Sequence, residues 1–193
     1  VKPEDLPRFL SRIHQEADRL VALINDILRL SQLDEGGALP HEQVSVLELA
    51  QEAARSLTAQ AAAQAVHISV TGTVGTVFGV RRLLYEIARN LCENAVKYNV
   101  PGGSVTVEVA ETDRDVALLV RDTGIGIPEG DQSRVFERFY RVDKSHSRAI
   151  GGTGLGLSIV KHAVAYHHGT LRLESQLGKG TVITVTLPKK PTE

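Results

Sequence analysis

Residues 90–98 read NLCENAVKY, and this stretch restricts what the rest of the chain can be. Helical spacing of the apolar residues around it predicts one helix over Val80–Tyr98. Asn90, Asn94 and Lys97 are separated by four and three residues, so all three project from one face of that helix. Amide oxygens and an ammonium group on one face suit a hydrated metal ion and phosphate oxygens. Taken alone, the pattern fits an ordinary polar helix face better.

A second motif, DTGIGIP at residues 122–128, follows a predicted strand. That strand, Val116–Arg121, is predicted to pair in a hairpin with Ser104–Ala110. A carboxylate at a strand end, followed by two glycines, can accept a hydrogen bond from an exocyclic amine and leave room for a flat base. Without the other motifs, turn formation would be the simpler explanation.

Two further motifs lie in or beside a long segment of little apolar periodicity, Asp122–Thr153, and such loops inside compact domains are usually functional. FERFYR at 136–141 is predicted to hold one end of a mobile lid in an apolar notch, with core packing as the alternative. GGTGLGL at 151–157 opens a predicted helix, Gly154–His168, whose free N–H groups and positive dipole end favour phosphate. It lacks both a Gly-Lys-Ser/Thr ending and a leading strand, so neither a P-loop nor a Rossmann site is predicted.

The elements around these motifs alternate between helices and strands. The further elements predicted are a helix over Leu47–Gln64 and strands over Val66–Thr71, Val74–Phe78, Thr170–Glu174 and Thr181–Leu187. The predicted fold class is α/β, as an α+β two-layer sandwich: a mixed, mostly antiparallel sheet covered on one face by three helices, with a long lid.

The first part of the chain has a different pattern. From Pro3 to Leu33 apolar residues recur at helical spacing, partly in rows spaced by seven, and Gly36-Gly37 ends the pattern. This predicts one long bundle helix, called here the leading helix, which requires partner helices to bury its apolar stripe. The alternative is that it packs on the domain that follows.

Composition excludes several classes of function. The 193 residues are 42% apolar and 23% charged, which is typical of a globular protein. A net charge of -1 gives no general attraction for nucleic acid or anionic lipid, so neither contact is expected. The single Cys92 cannot form an internal disulfide and is expected to be a buried apolar filler in a reducing compartment. No apolar run approaches the roughly 20 residues that span a bilayer.

In their order and spacing, the four motifs resemble the boxes of bacterial sensor histidine kinases, members of the GHKL ATPase superfamily. They are similar to the N box (90–98), the G1 box (122–128), the F box (136–141) and the G2 box (151–157). The leading helix, with EADRL at 16–20 and LSQLDEG at 30–36, resembles the second helix of that family's dimerisation and phosphoacceptor hairpin.

The resemblance covers essentially the whole chain and implies two parts, residues 1–36 as the second hairpin helix and residues 40–190 as the catalytic ATP-binding domain. It implies ATP and Mg²⁺ as cofactors, and transfer of the γ-phosphate to a histidine for relay to an aspartate of a response regulator receiver domain. It also implies a homodimer formed through the hairpin, in the cytoplasmic portion of a membrane-anchored sensor.

The resemblance also assigns roles to residues. Asn94 would bind Mg²⁺, Asn90 would help through water or phosphate, and Lys97 would meet phosphate oxygens. Asp122 would accept from the adenine amine, supported through water by the Thr181 hydroxyl. Arg141 is the candidate that would steady charge on the γ-phosphate. The other expected nucleotide contacts are Tyr98 beside the adenine, Gly124, Gly126 and Ile127 at the start of the lid, Phe139, and Gly152, Thr153, Gly154, Leu155 and Gly156 at the phosphates.

The histidines do not match the family's acceptor box, a His followed by an acidic residue and Leu-Arg-Thr-Pro. His14 is followed by Gln-Glu-Ala-Asp and is expected to be a partly exposed bundle residue. We therefore expect the acceptor histidine upstream of Val1. His167 and His168 are predicted at a helix end, where a partial positive charge suits the dipole.

Two alternatives stay open. A GHKL ATPase that hydrolyses ATP would use a carboxylate four residues before the metal-binding Asn to activate water, and Asn90 occupies that position here. Glu93 is near in sequence but belongs to a different helix face. A nucleotide-sensing module without kinase activity would require a degenerate box, and all four boxes look intact.

Overall fold

The structure is a computed structural model that describes residues 39–142 and 153–190, with nine separate positions between residues 6 and 24. Those nine positions are helical. Their six large apolar side chains are 48–59% exposed, so at these positions the leading helix does not pack on the domain that follows. They are Leu6, Leu10, Ile13, Leu20, Val21 and Ile24.

The strands and helices from residue 39 onward come in an order close to the predicted one. They are β1 (Glu42–Ser45), α1 (Val46–Ser56), α2 (Thr58–Ala63), β2 (His67–Gly72), β3 (Thr76–Gly79), α3 (Arg81–Lys97), β4 (Ser104–Glu111), β5 (Asp115–Asp122), α4 (Glu129–Gln132), α5 (Gly156–Tyr166), β6 (Thr170–Gln176) and β7 (Gly180–Pro188). Within the described residues, no helix is long and apolar enough to cross a membrane.

Five strands form the main sheet in the order β2-β4-β5-β7-β6. β2 and β4 are parallel, and the other neighbours are antiparallel. A parallel pair needs a crossover connection, which here contains β3 and the long helix α3. β1 and β3 form a separate antiparallel pair. The predicted mixed, mostly antiparallel sheet is therefore confirmed.

One face of the sheet is buried under α1, α3 and α5, as predicted. Alternate strand residues such as Val107 on β4 and Leu118 on β5 are at most 2% exposed, and they meet Leu49 of α1 and Ile87 of α3 in one core. Burying a side chain of this size contributes about 1.5–3 kcal/mol. Because α3 packs against this core on one side, the core fixes where its opposite side lies.

The structure differs from the prediction in three short elements. The helix predicted over Leu47–Gln64 breaks at Leu57, where Thr58 Oγ1 donates to the Arg55 carbonyl and competes with the helical bonds. β1 was not predicted, because only Val44 of its four residues is buried and so no alternation is visible. Within the predicted lid loop, residues Glu129–Gln132 form the short helix α4.

Candidate functional site

The G1 box lies against the C-terminal end of α3. The Ile125 N–H donates to the Tyr98 carbonyl at 3.0 Å. A Cβ on Gly124 would lie 2.3 Å from the same carbonyl oxygen, which is possible only for glycine. The end of the N box and the start of the G1 box are therefore in direct backbone contact.

The Asp122 carboxylate is held in one orientation by two backbone donors. Its Oδ1 accepts from the Gly124 N–H at 2.8 Å and from the Thr181 N–H at 3.2 Å. Burial raises the pKa of Asp122, and these two N–H groups partly lower it again. Because both bonds end on Oδ1, Oδ2 is the oxygen to which a ligand amine could donate.

The second half of the G1 box is braced by β6 and β7. Gly126 has φ +67°, and a Cβ there would lie 2.1 Å from the Gln176 carbonyl oxygen. The Ile127 N–H donates to Ser175 Oγ at 2.8 Å, and that hydroxyl lies 2.9 Å from Thr181 Oγ1. Ser175 therefore connects the turn to both strands.

Helix α4 adds a further brace at the start of the lid. Gln132 Nε2 donates to the carbonyls of Ile127 at 3.0 Å and Ser175 at 2.9 Å. One amide group thus satisfies a carbonyl of the turn and a carbonyl of β6. This fixes the first residues after the G1 box against the edge of the sheet.

The G2 box meets the N box where α5 begins. A Cβ on Gly156 would lie 2.9 Å from Asn90 Oδ1, so the Asn90 amide oxygen faces the start of α5. Asn90 Nδ2 donates to the Glu86 carbonyl at 2.8 Å and to the Glu86 carboxylate at 3.3 Å. Leu155 precedes α5 without a side-chain cap, and its own N–H donates to Thr153 Oγ1 at 3.3 Å.

The F box is tied to the G2 box through the backbone. The Phe139 N–H donates to the Gly154 carbonyl at 3.0 Å. Phe139 has φ +64°, which is rare outside glycine, and a Cβ on Gly154 would lie 3.0 Å from the Phe139 carbonyl carbon. The two segments that flank the far part of the lid therefore approach each other within contact distance.

Positive groups gather at the C-terminal end of α3. Burial lowers the pKa of Lys97, Glu93 acts to raise it, and Arg141 lowers it further. Burial raises the pKa of Tyr98, and Arg141 opposes this. Lys97 Nζ also lies 5.6 Å from the centre of the Tyr98 ring. Arg141 thus shares an electrostatic environment with Lys97, and the two cations together suit a polyanion.

Comparison with known families identifies this arrangement. A model described as "Histidine kinase-, DNA gyrase B-, and HSP90-like ATPase" matches residues 79–191, which are more than half of the 193 residues and contain all four boxes. The chain belongs to this family of ATPases. A second model, described as "His Kinase A (phospho-acceptor) domain", matches residues 1–36.

Individual relatives of this ATPase domain are histidine kinases. The sensor-like histidine kinase SenX3 of Mycolicibacterium smegmatis is 40% identical over 193 residues, covering 98% of this chain. The chain spans 50% of the length of that relative. The hypothesis that the domain is a histidine kinase is therefore favoured over the hydrolytic and nucleotide-sensing alternatives.

Solved histidine kinase structures share the fold. The mycobacterial sensor histidine kinase MprB superposes with a TM-score of 0.69 at 32% identity, over 79% of this chain and 100% of that chain. Full-length ShkA in complex with AMPPNP gives a TM-score of 0.80 at 25% identity, over 96% of this chain and 39% of that chain.

Most of the predicted site residues take part in the contacts described above among the four boxes. Gly152 falls outside the described residues. Thr181 contacts Asp122 directly through its backbone N–H, and its hydroxyl faces Ser175. The prediction that the F-box aromatics sit in an apolar notch is wrong for Phe139, which is 56% exposed at a left-handed backbone position, whereas Phe136 is half-buried.

Several supporting residues of the domain were not predicted. Asn99 Nδ2 donates to the Ala95 and Ser104 carbonyls, both at 3.0 Å, and so ties the end of α3 to β4. An Asn one residue beyond the helix C-cap Tyr98 and before Val-Pro-Gly-Gly is a recognisable end signal. Ser175 and Gln132 carry no such signal, because their contacts depend on strand register and on α4.

Proposed function

We propose that residues 40–190 bind Mg·ATP and transfer its γ-phosphate to a histidine. The observation that carries the proposal is that one helix, α3, ends beside the fixed Asp122 carboxylate and carries Asn94 and Lys97 in its last turn. A base amine bound at Asp122 and phosphates bound at Asn94 and Lys97 would lie along one continuous face.

At the base end, Asp122 Oδ2 would accept a hydrogen bond from the adenine amine. Oδ1 is already engaged by two backbone donors, so the carboxylate is oriented before the ligand arrives. Gly124 and Gly126 let the turn pack closely against the Tyr98 and Gln176 carbonyls and so fix it beside the base, which Tyr98 and Ile127 would border.

At the phosphate end, α5 offers backbone donors. This helix has 11 residues, and its N-cap residue Leu155 makes no side-chain capping bond, so the first N–H groups of α5 would donate to an anion. Lys97 and Arg141 would add positive charge to the same region. The remaining proposed contacts are Gly152, Thr153, Gly154, Leu155, Gly156 and, from the F box, Phe139.

The donor set at Asn94 fits a magnesium ion bound together with nucleotide phosphates. Asn94 is half-buried, and its side-chain amide makes no hydrogen bond to another described residue, so its oxygen can serve as a ligand. Among the described residues there is no group of three His, Cys, Asp or Glu side chains arranged around a metal. Mg²⁺ commonly takes one or two protein oxygens plus phosphates and waters, and when bound it neutralises phosphate charge. Asn90 would assist through water or phosphate.

The environment of Asn90 supports transfer rather than hydrolysis. A carboxamide cannot take a proton from water, and this one donates to the Glu86 carbonyl and carboxylate. The γ-phosphate would thus remain available for another acceptor, with Arg141 steadying its charge during transfer.

We propose that the acceptor histidine lies outside this chain. Its described histidines have other environments: His41 is stacked on Phe78 and Tyr166, and His167 is buried. Residues 1–36 would be the second helix of a dimerisation hairpin in a homodimer. The phosphoryl group would then pass to a response regulator aspartate, in a membrane-anchored sensor whose catalytic part faces the cytoplasm.

The binding step is tested by titrating the chain with AMPPNP in the presence of Mg²⁺ or of a chelator. We expect Mg²⁺ to strengthen wild-type binding, and Asn94→Ala to abolish most of that strengthening, because the variant lacks the ligand oxygen. Lys97→Ala should weaken binding about tenfold, the value of one lost charged hydrogen bond. Lys161→Ala, which removes an exposed lysine of α5, is the matched control.

Absence of AMPPNP binding at millimolar ligand would overturn the proposed function. The acceptor is tested separately by incubating the chain with ATP labelled at the γ-phosphate. We expect no acid-labile label on the chain itself, and stable label on one of its own histidines would contradict an external acceptor.

A further inference from the structure

We propose that His167 is a positioning residue that ties the end of α5 to the start of α3 and so sets the distance between the two helices that bind phosphate. This inference rests on the proposed function, since α3 carries Asn94 and Lys97 and α5 begins at the G2 box. His167 itself lies at the opposite end of α5 from that box.

The tie consists of two hydrogen bonds made by one buried ring. His167 is 8% exposed, its Nε2 lies 3.0 Å from the Val80 N, and its Nδ1 lies 2.7 Å from the Ala163 carbonyl oxygen. Nε2 must accept, because its partner is an N–H, and Nδ1 must donate, because its partner is a carbonyl. The geometry therefore requires the neutral ring with its proton on Nδ1.

The bond to Val80 satisfies a backbone N–H at the start of α3. Val80 is the residue before α3, and its own side chain cannot cap the helix. A helix N-terminus needs acceptors for its free N–H groups, and His167 supplies one at the entry to α3 from a different helix. The start of α3 is thus positioned by α5.

Gly79 makes room for the ring. A Cβ at this position would lie 2.6 Å from His167 Cδ2 and 2.7 Å from His167 Nε2. Any side chain on residue 79 would push the ring away from the Val80 N–H. The contact therefore depends on a glycine at the end of β3 that faces a histidine 88 positions later in the chain.

Of the groups around the ring, only the Ala163 carbonyl favours a positive charge, and burial outweighs it. Facing it are His41 from the segment before β1, and Tyr166 and His168 from the end of α5, while Arg81 follows Val80 in α3. From β3, Gly79 lies against the ring and brings no charge. Burial lowers the pKa of His167, the Ala163 carbonyl raises it, and His41 and His168 lower it further.

Protonation would convert the acceptor Nε2 into a donor that faces another donor. Because the folded-state pKa is lowered, the unfolded chain takes up the proton first as the pH falls. The stability that the neutral ring contributes is therefore fully present above the ordinary histidine value of 6.5 and declines as the pH falls below it. The tie itself breaks in the folded protein as the pH falls through the lower folded-state pKa of His167.

The test compares the wild type with His167→Gln and His167→Phe between pH 5 and 8, by AMPPNP titration with Mg²⁺ and by urea unfolding. Gln can present an amide oxygen to the Val80 N–H and does not titrate, whereas Phe has no acceptor. At pH 8 we expect His167→Phe to bind about tenfold more weakly and His167→Gln to bind within about threefold of the wild type. The wild type should lose affinity toward pH 5, and His167→Gln should lose less.

His67→Gln is the matched control, since it makes the same substitution at an exposed histidine of β2 that is not among the groups acting on the pKa of His167, and it should keep the wild-type pH profile. A residue that only stabilised the fold would shift the urea midpoint and leave the dissociation constant unchanged, which would overturn the proposal. A wild-type pH profile in His167→Gln would also overturn it, even if His167→Phe fails to fold. If the wild type binds AMPPNP at no pH, the proposed function fails instead, and the pH dependence of unfolding alone tests the tie.

Discussion

The G1 turn at 122–128 and the described part of the G2 turn at 153–157 both depend on glycine, but their glycines meet different neighbours. Gly124 and Gly126 lie against the backbone carbonyls of Tyr98 and Gln176, which belong to the framework of the domain. Gly154 lies against the F box, and Gly156 lies against the end of the Asn90 side chain. The turn proposed to hold the base is thus a fixed frame, whereas the turn proposed to hold the phosphates rests partly on the Asn90 side chain, which can rotate.

The largest expected effect on stability and binding comes from adding a side chain to a glycine of the G1 turn. Gly126→Ala would combine a left-handed φ of +67° with a Cβ 2.1 Å from a carbonyl oxygen. We expect the free energy of unfolding to fall by about 2 kcal/mol or more and AMPPNP binding to weaken by at least about 100-fold. Urea unfolding and calorimetric titration measure the two quantities.

Gly130→Ala is the matched control for that change, since no atom lies within 4 Å of a Cβ at Gly130. It lies in α4, so alanine should leave binding unchanged and stabilise the protein slightly, by up to about 1 kcal/mol. If the two variants behave alike, the G1 turn is not the fixed frame described above.

The next effect concerns charge within the same frame. In Asp122→Asn the amide oxygen can still accept from Gly124 and Thr181, but the ligand amine would meet an NH₂ donor in place of an acceptor. We expect AMPPNP binding to weaken by about 10–100-fold, the cost of a lost charge-assisted bond and an unpaired donor.

The stability of Asp122→Asn should change in the opposite direction from its affinity. Burial raises the folded-state pKa of Asp122, so the ionised group destabilises the folded state at neutral pH. Its contribution is favourable below the ordinary value of 3.8 and is lost as the pH rises through the folded-state pKa. Urea unfolding at pH 7 should therefore show a variant as stable as the wild type or more so. A clear loss of stability would mean that Asp122 serves mainly to hold the fold.

The smallest effect is expected at the adjustable end. Gly156→Ala places a Cβ 2.9 Å from Asn90 Oδ1, an atom that can move by side-chain rotation. Alanine also favours the helix by up to about 1 kcal/mol. We expect normal stability and AMPPNP binding weakened only about threefold to tenfold, since one side chain is displaced. A loss as large as that of Gly126→Ala would show that both turns are equally rigid.

The sequence predicted best what depends on strong local patterns. The helix predicted over Val80–Tyr98 is observed as Arg81–Lys97, because its apolar positions repeat over nearly five turns. The four boxes are contiguous motifs, so the candidate site residues could be proposed from the sequence alone. β1 escaped prediction because four residues with one buried side chain show no periodicity.

The residues that support the site were harder to predict, because they act across distant parts of the chain. Ser175 reaches Ile127 only through the pairing of β6 with β7. The prediction that a positive charge suits His167 at a helix end is wrong, because the ring is buried against Gly79 and accepts from Val80. Local sequence indicates a helix end, but only tertiary packing determines the protonation state there.

Cys92 gives the domain a built-in reporter of helix opening. It lies on α3 between Asn90 and Asn94, is 0% exposed, and burial raises the pKa of its thiol to about 12. A thiol in this state reacts with an alkylating reagent only after α3 has separated from the sheet. The rate of Cys92 alkylation under native conditions therefore measures how often α3 separates from the sheet, without any introduced label. A ligand that holds α3 in place would slow the alkylation.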